Sequence, residues 1–326
     1  MTELVPPSEA ALARLAPTVE KARDFISQGQ ATNTARAYRA DWAHFAAWCV
    51  ERGLTSLPAT PATVALYLTD LAAPSEAGQV ARKVSTIQRR LSGIVFAHKA
   101  ANHDSPSESR EVRAVLRGIR RARGAPPMEK QPATTAVIRA MVEPLGDDLR
   151  GRRDRALLLL GFAGALRRSE LVGLEVKDAQ LTREGIVLTI RRSKTDQEGQ
   201  GVTKGIAYGS NPDTCPVRAL QAWLEHTDIQ DGPLLRSLRF GKVQPRGLDG
   251  RDVARVVKRA AALAGLDPAV FSGHSLRAGL ATAAAAAGVS ERAIMEQTGH
   301  KSLAVMRRYI RKGSLFKDNA SAQVGL

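Results

Sequence analysis

The sequence predicts a mainly α protein in two parts. A helical N-terminal domain, residues 1–123, is joined by a linker, 124–133, to a mostly α domain, 134–326, that carries a small antiparallel sheet. Three observations predict this. Apolar residues recur at helical spacing from about Asn33 to Arg123. The stretch RARGAPPMEKQPATT then breaks the pattern with three prolines, a glycine and scattered charges. Beyond it helical patterns return, interrupted by two β-rich runs, Gly185–Arg191 and Gly201–Tyr208, that flank a polar turn. The length, 326 residues, suits two domains.

Each element has its own signal. In NTARAYRADWAHFAAWC, Tyr38, Trp42, Phe45 and Cys49 share one helical face. The next helix starts with Thr60 as N-cap and Pro61 at the first helical position, and turns Val64, Tyr67, Leu68 and Leu71 inward. In the third, Val84, Ile87, Leu91, Ile94 and Val95 form the apolar side, opposite Arg82, Ser85, Thr86 and Arg89. A fourth opens on Ser105, Pro106 and Glu108, a capping-box pattern. After the linker, TTAVIRAMVEPL, RRDRALLLLGFAGALRRSELVGL, PVRALQAWLEHT, RDVARVVKRAAALAGL, SLRAGLATAAAAAG and SERAIMEQTG all read as helices. No internal repeat is visible.

Composition narrows the partners. The chain has 48 Lys and Arg against 32 Asp and Glu, a formal net charge of +16. Such an excess favours a polyanion, nucleic acid above all. The third helix fits a DNA major groove, where arginine and lysine are the usual readers. Arg82, Lys83, Thr86, Arg89 and Arg90, with Arg36 and Arg39 on the first helix, are the candidate DNA-contacting residues. Cys49 and Cys215 fit no metal-ligand spacing, and a reducing, cytoplasmic compartment is the simplest reading. The start, MTELVPPSEA, lacks a signal-peptide pattern, and the longest apolar run, Ala156–Leu166, is too short to span a bilayer. No carboxylate cluster has metal-site character, so neither a metal nor another cofactor is expected.

The residues with chemical potential lie in the second half. Arg167 follows the long apolar helix, and an arginine in such a place needs an anionic partner because its charge cannot be titrated away. Glu170, three residues on, reads equally as a helical ion-pair partner or as a brace for a guanidinium that faces a phosphate. Lys194 sits in the polar turn RRSKTDQEGQ, either as one more exposed lysine or as a single ammonium at a hairpin tip. His274 and Arg277, three apart, point along one helical face. Downstream, TGHKSLAVMRRYIR supplies His300 and Tyr309, one of only four tyrosines, among Arg307, Arg308 and Arg311. A phenol ionises near pH ~10 and needs nearby cations to become a good nucleophile.

The order Arg167 with Ser169-Glu170-Leu171, Lys194 on a hairpin, His274-x-x-Arg277, Gly299-His300 and finally Tyr309 resembles the tyrosine recombinase (phage integrase) family, of the Cre-like, bacterial site-specific kind. The resemblance spans nearly the whole chain. It implies a helical, SAM-like core-binding domain followed by a mixed α/β catalytic domain. It further implies that Tyr309 attacks a DNA phosphodiester to give a 3′-phosphotyrosyl link, without metal or ATP. Arg167 and Arg277 would clamp the non-bridging oxygens. His274 and His300 would add hydrogen bonds, with His274 a candidate to take the tyrosine proton, and Lys194 would be the general acid. Glu170 would support Arg167. The implied partners are double-stranded DNA with an inverted-repeat target site and three further copies of the chain, forming a tetramer on two sites from monomers free in solution. The tail after Lys312 would dock into a neighbouring copy. A cytoplasmic, nucleoid-associated location follows. Ala165 departs from the pattern, standing where a glycine often precedes Leu-Arg. A type IB topoisomerase-like relaxing enzyme and a catalytically silent DNA-binding protein are the alternatives.

Overall fold

In a computed structural model the chain divides into two compact units, Met1–Pro127 and Met128–Leu326. The structure describes residues 32–73, 80–124, 129–191, 201–300, 302–304, 306, 307 and 309.

The described part of the first unit is four helices, α1 (Thr32–Glu51), α2 (Pro61–Ala72), α3 (Val84–Ala100) and α4 (Arg110–Arg123). Helix α1 packs on α3, and α2 on α4. Their apolar faces meet in one core built on Phe45, Tyr67, Leu68, Ile87 and Ile94, all fully buried. Within that core Phe45 and Tyr67 lie edge to face with centroids 4.9 Å apart. The Thr60 hydroxyl accepts the Thr63 amide and Pro61 opens α2, as the sequence predicts. The fourth helix differs from expectation. Pro106–Glu108 forms a short 3-10 turn, and the cap of α4 is Ser109, whose hydroxyl accepts the Val112 amide. Ser109 lies one residue before the longer regular segment and so reaches its free N–H groups, which Ser105 cannot.

The second unit contains α5 (Thr135–Val142), α6 (Leu149–Ala163), α7 (Arg168–Gly173), α8 (Pro216–Thr227), α9 (Gly250–Leu263), α10 (His274–Ala286) and α11 (Glu291–Thr298). The C-terminal half of helix α6 is apolar all round because it is central: Leu157, Leu158, Leu159 and Leu160 are all buried, with α8 on one side and α10 on another. Strands β1 (Ala179–Leu181), β2 (Gly185–Ile190) and β3 (Val202–Ala207) form an antiparallel sheet in the order β1-β2-β3. The pairing of Ile186 with Ile206 and Leu188 with Lys204 fixes its register. A second, two-stranded sheet, β4 (Arg236–Arg239) and β5 (Lys242–Gly247), adds a hairpin, so the described residues of the unit form two small sheets rather than one. These strands, RSLR and KVQPRG, are too short and too polar to show alternation in the sequence.

Part of the segment expected as linker is packed. Gln131 donates its amide to Val270 O and Ala133 to Ser275 O, and Ala133 is fully buried against α10. That approach is close enough to require glycine: a Cβ at Gly279 would stand 1.9 Å from the Ala133 carbonyl oxygen.

Candidate active site

Helices α6, α7, α10 and α11 and strand β3 converge on one basic cluster. Arg167 occupies the N-cap position of α7. Glu170, only 4 % exposed, holds it twice, accepting the Arg167 amide at 2.9 Å and Nη1 of its guanidinium at 2.5 Å. The remaining end of the guanidinium, Nη2, reaches Gly299 O at 3.4 Å. One carboxylate thus fixes both the backbone and the side chain of Arg167, through an i,i+3 ion pair.

Arg277 projects from α10 and is 2 % exposed. Its Nη1 donates to Ala165 O at 2.8 Å, while Nη2 is buried without a hydrogen-bond partner. Ala165 adopts φ +46°, the left-handed region, in the tight turn between α6 and α7. That conformation costs a residue with a Cβ about 1–2 kcal/mol, and it turns the carbonyl toward Arg277. The departure from glycine noted in the sequence therefore falls where glycine would relax the backbone. Burial, then Arg167, lowers the Arg277 pKa to about 10, against the opposing pull of Glu170 and Tyr309.

His274 begins α10, and its Nε2 lies 2.8 Å from the Tyr309 hydroxyl. Burial of the ring, followed by Arg277, Arg168 and Arg167, lowers its pKa. Residues Leu303, Ala304, Met306, Arg307 and Tyr309 are helical, and Met306 fills a small core with Ala281, Ala285 and Ile294 against which Tyr309 packs. The phenol thus stands at the edge of that core and faces the cations. The His300 ring lies 5.7 Å from that of Tyr309, and its Nδ1 is 2.8 Å from Thr298 Oγ1. Burial, then Arg277, Arg167, His274 and Lys204, lowers the His300 pKa to about 4, so this imidazole is neutral at physiological pH.

Lys204, which the sequence reading passed over, belongs to the same cluster. It lies on β3, is 6 % exposed, and donates to Gly164 O at 2.9 Å and Gln297 O at 2.7 Å. It ties the end of α6 to the last turn of α11. Gln297 reinforces the tie by donating to Ala163 O and Gly205 O. Burial lowers the Lys204 pKa to about 8, Glu170 opposing and Arg277 and Arg167 adding to the shift. The signal that could have found it is the strand alternation, which puts Lys204 on the same buried face as Ile206.

Lys194 lies outside the described residues, as does the tail after Lys312. The candidate DNA contacts separate into three kinds. Arg36, Arg39, Arg82 and Lys83 are exposed, and Thr86 is half-buried. Arg89 is ion-paired with the buried Asp41. Arg90 is itself buried, donates to Tyr67 Oη at 3.2 Å and sits 3.0 Å from His44 Nε2.

A profile described as the phage integrase family matches residues 131–314. The chain is 39 % identical over 302 residues to the integrase/recombinase xerD homolog of Selenomonas ruminantium, covering 92 % of this chain and 87 % of that protein. It is 29 % identical over 290 residues to recombinase cre of Escherichia phage P1, covering 82 % and 80 %. Among solved structures, it is similar to a lambda integrase tetramer bound to a Holliday junction, with TM-score 0.59 and 18 % identity over 91 % of this chain and 77 % of that one. A lambda integrase (75–356) dimer bound to a COC′ core site gives the same TM-score, with 90 % and 94 % covered. Both structures share its mostly helical architecture with small antiparallel sheets.

Proposed function

Since the chain belongs to the phage integrase family and is a tyrosine-type site-specific recombinase by descent, we propose that its own Tyr309, Arg167, Arg277, His274 and His300 cleave and rejoin DNA through a 3′-phosphotyrosyl intermediate. The observation that carries this reading is the hydrogen bond between Tyr309 Oη and His274 Nε2, beside the buried Arg277 guanidinium and the Arg167 guanidinium that Glu170 holds.

Arg167, Arg277 and Lys204 outnumber Glu170, so the pocket is cationic and desolvated. An anion of at least one charge suits it, and a phosphodiester gains a second as the pentavalent state forms. The partnerless Nη2 of Arg277 supplies a donor for one non-bridging oxygen, and Arg167, fixed by Glu170, a donor for another. Tyr309 Oη bonds to phosphorus as its proton leaves toward an imidazole, His274 being the one in contact. The bond from phosphorus to the 5′-oxygen breaks, and Lys194 protonates that oxygen. The phosphotyrosyl link keeps the bond energy, so attack by another 5′-hydroxyl reverses the step without ATP. Cations do here what a metal does in other phosphoryl-transfer sites.

The substrate is double-stranded DNA carrying an inverted repeat, and four copies assemble on two sites, with the tail after Lys312 docked into a neighbour. The solved similar proteins are bound to DNA as a dimer and a tetramer, which supports this arrangement. No helix among the described residues is long and apolar enough to cross a membrane, and a cytoplasmic, nucleoid-associated location fits the charge of +16.

A nicked suicide substrate bearing the cognate site, incubated in EDTA, tests the reading. A covalent protein–DNA adduct is expected, and its loss in Tyr309→Phe. An adduct that survives that substitution, or a strict need for a divalent cation, overturns it.

A further inference from the structure

Thr298, the last residue of α11, is wholly buried beside His300. Its Oγ1 lies 2.7 Å from Ile294 O, 3.4 Å from Met295 O and 2.8 Å from His300 Nδ1. A hydroxyl has one hydrogen, and a carbonyl oxygen can only accept. Two oxygens 2.7 Å apart in a buried place need a hydrogen between them. The Thr298 hydrogen is therefore committed to Ile294 O, and the Thr298 lone pairs face the imidazole. Were His300 Nδ1 bare, two lone pairs would meet at 2.8 Å.

We infer that Thr298 is a positioning residue that fixes His300 with its hydrogen on Nδ1, so that Nε2 presents a lone pair to the active site. The neutral ring acts there as an acceptor of a proton or hydrogen bond. It donates from Nε2 to a phosphate oxygen only after a proton has arrived on that atom. The two histidines thus divide the work: His274 contacts the phenol, and His300 holds an empty proton site beside it. Burial and the cations Arg277, Arg167 and Lys204 keep the ring neutral until the substrate's negative charge enters. The αL turn at Gly299, φ +63°, folds the chain back so that residues 298 and 300 can meet.

This inference rests on His300 belonging to the proposed catalytic set, but its first test does not depend on activity. Nitrogen-15 NMR of the full-length protein at neutral pH, with the His300 signals identified by their loss in His300→Gln, reads which ring nitrogen carries the hydrogen. Protonated Nδ1 with bare Nε2 is expected, and the reverse overturns the assignment. Thr298→Val keeps the shape and removes the hydroxyl, and Thr298→Ser keeps the hydroxyl. The valine variant is expected to show His300 shifted toward the Nε2-protonated form and to lose about tenfold or more in single-turnover adduct formation, with DNA affinity unchanged, since a wrong imidazole tautomer disables proton transfer. The serine variant is expected to retain both tautomer and rate. An unshifted tautomer in valine, or a shifted tautomer with an unchanged rate, overturns the role of Thr298. A valine variant that fails to fold leaves the wild-type spectrum and the serine variant to decide.

Discussion

Two clusters of arginine and histidine, one in each unit, look alike in composition and differ in what balances them. In the N-terminal unit, Arg89 and Arg90 converge on Asp41 and Arg90 also meets Tyr67 and His44, so the charge is answered within the fold, although Arg90 Nε is itself buried without a hydrogen-bond partner. In the catalytic unit, Glu170 opposes the charge of Arg167, Arg277 and Lys204 but among the described residues ion-pairs only with Arg167, so three cations face one carboxylate, and Arg277 Nη2 too is buried with no partner. Desolvated cations left short of counter-charge are costly to hold. A fold retains them where an outside anion completes the set. The comparison teaches that a count of basic residues does not find an active site, whereas the balance of charge around each one does.

Arg277→Lys probes the comparison most strongly. It keeps the charge and removes the forked donor, and single-turnover cleavage of the suicide substrate is expected to fall about 10²–10³-fold, as for the loss of one transition-state donor. DNA affinity, read by gel shift, should change little. A parallel loss of affinity would erase the distinction between the two clusters. Arg90→Met should act on the other side: urea unfolding is expected to show a loss of about 1–3 kcal/mol, the cost of leaving Asp41 and Tyr67 poorly paired, with the salt dependence of DNA binding unchanged. A reduced salt slope with normal stability would return Arg90 to the DNA surface. The smallest effects belong to the exposed positions. Arg82→Ala and Lys83→Ala should each lower the slope of log binding constant against log salt by about 1, without altering the cleavage rate at saturating DNA. No change in slope would remove those residues from the interface.

Much of this was legible in the sequence because its signals are local. Thr60 with Pro61, the inward faces of α1 to α3 and the β2–β3 pair need only periodicity and caps. Arg167, His274, Arg277, His300 and Tyr309 were legible from their order, and the fold gathers them from α7, α10 and the segment after α11. What stayed hidden depends on contacts between distant segments. Nothing near Lys204 in the sequence announces that Gly164 and Gln297 will offer it two carbonyls. Arg89 and Arg90 read as a groove-facing pair because Asp41 is 48 residues from Arg89 in sequence, while a Cβ at Gly93 would stand 3.1 Å from Asp41 Cβ. The β4–β5 hairpin and the Ser109 cap were missed for a simpler reason: short polar strands and adjacent serines give no contrast.

The bond between Tyr309 and His274 is made within a single polypeptide. Two crippled versions of the protein, one without its phenol and one without Arg277, should therefore fail to complement each other when mixed. Each copy would still lack one member of a set that no companion supplies, and the blend would stay as inert as its parts.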